Sequence, residues 1–244
     1  MTRFAQPSLA GESFAFAEFA QLLADPAYYG AGLPRGDGRL VVVLPGLFGN
    51  DWYLQPLRSW LGRIGFRPAR SSLAVNAGCP ERLSRQVEMQ VERRLQTRPG
   101  PVVLIGHSRG GILARAIAAR LGDGVSHLVM LGSPVGAIER SAGWPGAGGG
   151  DNPTRDSVAE ASKRARNFLD PDCSVPLCGC PFPTDLRRPL SSETRVVSIY
   201  SGDDPVVPSW SCPVPGARNV ELSGTHVGLV YNGAVYRELA EALT

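Results

Sequence analysis

Ser108 stands in the run Val102-Val103-Leu104-Ile105-Gly106-His107-Ser108-Arg109-Gly110-Gly111, an apolar stretch that stops at a glycine and presents one hydroxyl between small neighbours. Gly-x-Ser-x-Gly has a physical meaning when a strand precedes it and a helix follows. The sharp turn forces the central residue into a strained backbone conformation. Residues two before and two after it must be tiny to clear their neighbours. The hydroxyl is then pushed out over the end of the sheet, and the N-terminus of the helix offers N–H groups and a positive dipole end to an anion formed beside it. The chemistry this suits is nucleophilic attack on a carbonyl. The bland alternative is a Gly-rich turn with a solvated serine, and the apolar strand before and Ala-rich stretch after Ser108 weigh against it.

A serine hydroxyl needs a base within hydrogen-bond reach, usually a histidine oriented by a carboxylate. The chain has 3 histidines. His107 adjoins the serine, so the turn directs its side chain elsewhere. His127 lies inside Ser-His-Leu-Val-Met-Leu and reads as a packed, satisfied core histidine. His226, in Glu-Leu-Ser-Gly-Thr-His-Val-Gly-Leu, follows a short strand-like segment and precedes the last helix, so it is the expected base. For the carboxylate, the strand-like Arg195–Tyr200 is followed by Asp203 and Asp204, which point oppositely on an extended chain, so one of them faces His226. For the oxyanion, one donor is the backbone N–H of Arg109. The other is expected from the loop Pro45-Gly46-Leu47-Phe48-Gly49-Asn50-Asp51, where Leu47 is the best placed, with Phe48 behind it; an ordinary Pro-Gly turn is the competing reading.

These residues need a scaffold that brings them to one edge. Apolar, β-branched runs at 39–44, 101–106, 126–131 and 195–200 have the character of buried parallel strands. Between them lie segments with helical spacing: Leu54, Leu57, Leu61 and Ile64; Leu83, Val87, Val91 and Leu95; Ile112, Ile117 and Leu121; and finally Val235, Leu239 and Leu243. The alternation predicts an α/β fold with a mostly parallel sheet, helices on both faces and ligands at the carboxyl ends of the strands. A chain of 244 residues is compatible with one such domain. Residues 141–190 break the rhythm with a Gly-rich stretch, a charge-rich helical segment and a Cys/Pro-rich loop, and are read as a cap or lid insertion; a disordered connection is the alternative.

Composition narrows the partners. The 25 basic and 22 acidic residues are dispersed, without the charge run of a nucleic-acid or anionic-membrane footprint. No stretch approaches a membrane span, and the first residues lack the apolar core of an export signal, which leads to the expectation of a soluble, cytoplasmic protein. The 5 cysteines, Cys79, Cys173, Cys178, Cys180 and Cys212, admit three readings: reduced structural thiols, one or two disulfides stapling the Pro-rich loop, or a structural zinc, for which Cys-x-Cys is not the usual spacing.

Taken together, "LPGLFGNDW", "IGHSRGG", "SIYSGDDPVVP", "SGTHVGL" and the closing helix resemble the α/β-hydrolase superfamily, in its lipase and esterase branch, over nearly the whole chain. A looser similarity is to compact bacterial lipase-like serine hydrolases with a Cys-bearing segment before the acid strand. Pro45 stands where many members of the branch have histidine. The resemblance favours Asp204, whose Asp-Pro turn followed by Val206 and Val207 is similar to the usual acid loop. It implies a Ser108–Asp204–His226 triad, an oxyanion hole from Leu47 and Arg109, a small-molecule ester substrate and an acyl-enzyme, with no metal or organic cofactor. Phe48, Trp52 and Tyr53 beside the oxyanion loop are candidate substrate-binding residues, although Trp52 and Tyr53 at helical spacing are equally packing residues. In residues 141–166 of the lid segment Trp144 is the only large aromatic among many charges, which argues against strong interfacial activation and for short- to medium-chain acyl esters. The same machinery serves thioesterases, acyltransferases and cofactor-free perhydrolase or haloperoxidase-like enzymes. A scaffold that binds without turnover is the rival from a different class.

Overall fold

The computed structural model describes residues 15–140, 160, 163–164, 167–171, 173 and 180–244. Six strands make one sheet: β1 (Leu40–Leu44), β2 (Arg67–Arg70), β3 (Val102–His107), β4 (Val125–Leu131), β5 (Arg195–Ser201) and β6 (Arg218–Leu222). Their order is β2-β1-β3-β4-β5-β6, and every neighbouring pair is parallel. The helices are α1 (Ala15–Ala24), α2 (Gln55–Arg63), α3 (Pro80–Thr97), α4 (Arg109–Leu121), α5 (Val135–Arg140) and α6 (Gly233–Leu243), with a single helical turn at Phe182–Asp185. The expected strands form, as do the four helices read from apolar spacing; the charge-rich helical segment expected within 141–190 lies largely outside the described residues.

Each central strand feeds two cores because successive side chains alternate between the faces of the sheet. Val41 and Val43 of β1, Val103 and Ile105 of β3, and Val129 and Leu131 of β4 pack with Leu57, Trp60 and Leu61 of α2 and Val235, Leu239 and Leu243 of α6. Leu40, Val42, Leu104, Leu128 and Met130 face the other way, onto Leu83, Val87 and Val91 of α3 and Ile112, Leu113 and Ile117 of α4. Burial on both faces explains why β1 and β3 read as unbroken apolar runs.

Strand β2 lies outside the sequence expectation. Arg67-Pro68-Ala69-Arg70 has neither alternation nor an apolar run, and a proline demotes a strand reading. It forms at the sheet edge, where only β1 is its neighbour. Helix α1, also unanticipated, packs Leu22 into the first core beside Tyr236.

The chain leaves β1 for the edge strand β2, then returns to β3 on the opposite side of β1. The sheet therefore reverses its order of growth between β1 and β3, the place where open α/β sheets bind ligands. Buried polar contacts hold the loops there. The Asp51 carboxylate, after β1, accepts hydrogen bonds at 3.0 Å from the backbone N–H groups of Ser71 and Ser72 and from the Ser71 hydroxyl, after β2. It also pairs with the buried Arg58 at 3.3 Å. Farther along, Arg120 of α4 pairs with Glu88 of α3 at 2.7 Å and with Asp185 at 3.1 Å, fixing the turn at 182–185 to the helical face.

The expected insertion at 141–190 falls largely outside the described residues, as does Cys178. Of its described part, Asp170 accepts hydrogen bonds from the Cys79 N–H at 2.5 Å and from Arg82 at 2.7 Å, at the start of α3. The Arg82 guanidinium holds the Asp170 carboxyl below the usual carboxylate range. Among the described residues no helix is long and apolar enough to cross a membrane.

Asp51→Ala leaves the buried Arg58 without its counter-ion and releases three donors, so a loss of about 3–5 kcal/mol in chemical denaturation is expected. A loss under about 1 kcal/mol contradicts this account of the β1 and β2 loops.

Candidate active site

Ser108 joins β3 to α4 with φ 53° and ψ −123°, a conformation few non-glycine residues adopt. Its N–H donates to Leu131 O at 2.8 Å, which ties the turn to the end of β4. The flanking glycines are there for space. A Cβ at Gly106 would lie 2.3 Å from Gly111 N, and one at Gly110 would lie 2.4 Å from Leu44 O. At Gly111 it would meet the Ser133 hydroxyl at 2.1 Å. The motif is thus the steric requirement of a β3–α4 turn pressed against the end of β1.

Two further strands deliver the other polar groups. His226 follows β6 and Asp204 follows β5, and His226 Nδ1 lies 2.6 Å from Asp204 Oδ2 with both side chains buried. The second carboxylate oxygen of Asp204 accepts the N–H groups of Val206 and Val207, each at 2.8 Å. Asp203, next in the chain, is exposed. The Asp-Pro turn therefore points one aspartate inward and the other to solvent. Gly132, at the end of β4 with φ 56°, backs the pair: a Cβ there would come within 3.4 Å of both Asp204 Oδ2 and His226 Nδ1.

The β1 loop closes over the serine turn. A Cβ at Gly46 would lie 3.3 Å from Ser108 Cβ. The N–H groups of Gly46, Phe48 and Gly49 are engaged with Tyr53 Oη at 2.6 Å, Asn76 O at 3.0 Å and Gly46 O at 3.0 Å. Leu47 N–H has no partner among the described residues, so within this stretch it is the donor left for a ligand. Phe48 holds φ 58° and is exposed, the second strained residue at this edge.

Of the expected pocket residues, Trp52 is 71% exposed, with the Arg70 guanidinium 5.4 Å from its ring. Tyr53 is turned inward, and burial pushes its phenol pKa up. Arg109 directs its guanidinium to Gly78 O at 2.5 Å and Asn76 O at 3.3 Å.

Asn76 escaped sequence reasoning. Fully buried, it donates its side-chain amide to Pro45 O at 2.7 Å and its N–H to Gly49 O at 2.9 Å, while its carbonyl accepts from Phe48. It latches the whole β1 loop, and only a contact between residues about 30 positions apart in sequence makes it a site residue. His107 and His127 are both buried, and their ring nitrogens bond to Tyr53, the His226 carbonyl and Arg39. His127 is held by Arg39 at 3.0 Å through Nδ1, but its Nε2 has no partner among the described residues, so there it is only half satisfied.

Both histidines resist protonation. Burial, and then the neighbouring His226, hold His107 down to about 3, while burial and the positive Arg39 and Arg195 hold His127 down to about 4. An unfolded histidine takes up its proton near pH 6.5, so between there and these values the unfolded chain binds more protons than the native one. Native stability is therefore lost as pH falls below about 6.5. The urea midpoint is expected to fall from pH 7 to pH 5, and less steeply in His107→Gln, which has no imidazole there to protonate. Equal slopes in the two proteins would exclude His107 as a source.

A family model described as the α/β-hydrolase fold matches residues 65–166. Among curated proteins none matches the chain. Similar solved structures include the type II thioesterase BorB from the borrelidin biosynthetic cluster, 19% identical over 86% of this chain and 95% of that one, with a TM-score of 0.52. Others are one chain from the work on the metagenome-derived lipolytic enzymes LipS and LipT, 16% identical over 86% of this chain and 95% of that one, TM-score 0.51, and Est1E from Butyrivibrio proteoclasticus, 16% identical over 86% and 92%, TM-score 0.50. With the parallel sheet and the serine turn after β3, these matches lead to one conclusion: the chain has the α/β-hydrolase fold.

Proposed function

We propose that this protein is a serine hydrolase that cleaves short- to medium-chain carboxylic esters through Ser108, His226 and Asp204. The observation that carries the reading is the buried 2.6 Å contact of His226 Nδ1 with Asp204 at the sheet edge that bears Ser108. A carboxylate on Nδ1 keeps the proton there and leaves Nε2 to accept one, the tautomer that a general base for a serine hydroxyl requires. The strained Ser108 backbone and the Gly46 approach support the same assignment.

In the proposed reaction Ser108 Oγ attacks the ester carbonyl as His226 takes its proton. The tetrahedral oxyanion is held by the N–H groups of Leu47 and Arg109, aided by the dipole of α4. His226 then protonates the leaving alcohol, and the acyl-enzyme is hydrolysed by water activated by the same imidazole. Phe48 and Trp52, exposed beside the loop, are proposed to meet the substrate. In this reading the chain is one domain, with 141–190 a cap tied down through Asp170.

Hydrolysis of p-nitrophenyl esters from acetate to palmitate is expected to peak at short or medium chains. Ser108→Ala and His226→Ala should each lower kcat by about 10⁴–10⁶. Asp204→Asn should cost about 10⁴ by disturbing the imidazole tautomer, and Asp203→Asn little. Undiminished turnover in Ser108→Ala sinks the proposal, and a large loss at Asp203 with none at Asp204 reverses the carboxylate assignment. Running butyryl thioester beside butyryl ester reads the leaving group: faster thioester turnover makes the enzyme a thioesterase with the same triad.

A further inference from the structure

His107 lies immediately before Ser108, and its ring touches two other segments. Its Nε2 lies 2.9 Å from the backbone carbonyl of His226, and its Nδ1 lies 3.0 Å from Tyr53 Oη. Tyr53 Oη in turn lies 2.6 Å from Gly46 N, on the residue before Leu47. Three parts of the proposed site therefore meet through two side chains that take no part in the chemistry described above.

The proton positions along this path follow from elementary valence. A carbonyl oxygen can only accept, so His107 Nε2 carries the hydrogen that His226 O receives. In a neutral imidazole the other nitrogen is then an acceptor, so Tyr53 donates its O–H to Nδ1. That leaves the Tyr53 oxygen to accept from Gly46 N–H. The chain Gly46 N–H to Tyr53 O–H to His107 to His226 C=O is directional and has no mismatched link. Its surroundings keep it so: His107 is buried and Tyr53 partly buried, their rings meet edge to face with centroids 5.9 Å apart, and Tyr231 Oη donates to the Tyr53 carbonyl at 2.9 Å. A Cβ at 46 would sit 3.0 Å from His107 Nδ1, a tight contact that the ring could relieve only by shifting, so glycine suits this position.

We propose that Tyr53 and His107 are positioning residues for hydrolysis, a hydrogen-bonded brace that sets the oxyanion loop and the histidine loop at a fixed separation on either side of Ser108. This rests on the serine-hydrolase reading above. One end of the brace fixes the peptide plane next to Leu47, whose N–H faces the developing oxyanion. The other fixes the main chain of the residue that moves the proton. The His107 and His226 rings lie 4.8 Å apart, so a neutral His107 adds no repulsion when His226 becomes an imidazolium. Because preorganised donors act on the transition state more than on the bound ester, loss of the brace should appear in kcat rather than in KM.

The test compares the wild type, Tyr53→Phe, His107→Leu, His107→Gln and the double variant Tyr53→Phe/His107→Leu on p-nitrophenyl butyrate. Active sites are counted by a fluorophosphonate, and folding is checked by thermal unfolding. Tyr53→Phe and His107→Leu are expected to lower kcat per labelled site by about tenfold or more, with KM within about twofold. The double variant should be no slower than about twice the worse single, because both cuts break one chain. His107→Gln, which keeps a donor for His226 O, should recover most of the loss seen in His107→Leu. Ser108-dependent turnover with kcat unchanged in Tyr53→Phe and His107→Leu overturns the brace and leaves the triad standing. Multiplying losses in the double variant, or a KM effect alone, overturn it as well. A wild type that neither labels nor turns over sinks the hydrolase reading, and the brace with it.

Discussion

Between β3 and α4 the chain turns in a space where a side-chain carbon has no room. The gap is set by main-chain atoms: Gly110 lies against the carbonyls of Leu44 and Pro45, and Gly106 against Gly110 and Gly111. Backbone cannot move aside as a flexible side chain can, so this close approach dictates both the glycines and the positive φ of Ser108. Holding such a residue costs on the order of 1–3 kcal/mol, which the close-packed surroundings must outweigh. They do so with strands buried on both faces and with the Ser108 N–H bonded to the end of β4.

Around that turn, the polar side chains are held by backbone partners more than by one another. Asp204 is bound by two N–H groups, the Asn76 side-chain amide by the carbonyl of Pro45, and Asp51 by the N–H groups of Ser71 and Ser72. Bonds to main chain do not depend on the rotamers of long, flexible groups, so each loop at the sheet edge is fixed at low entropic cost. Strain at Phe48 and Ser108 is tolerated because the loops that contain them are over-determined in this way.

Much of the scaffold was legible in the chain because doubly buried parallel strands must be continuously apolar and their connecting helices amphipathic. Gly106, Ser108 and Gly110 could be read because the turn's sterics allow few alternatives, and His226 because only three histidines exist. The edge strand β2 could not be read, since Arg67-Pro68-Ala69-Arg70 becomes a strand only beside β1. Local pattern carries no trace of a pairing partner.

The sequence by itself determined the fold class, the serine turn and the residue types able to do acyl chemistry, because these follow from local sterics and periodicity. Tertiary structure alone brought the Asp204 carboxylate onto His226, turned Tyr53 inward to Gly46 and His107, and made Asn76 the latch of the β1 loop. Each of those outcomes is a hydrogen bond between segments distant in the chain. Its geometry comes into being only when the strands align, and no spacing of residues along the polymer encodes it directly.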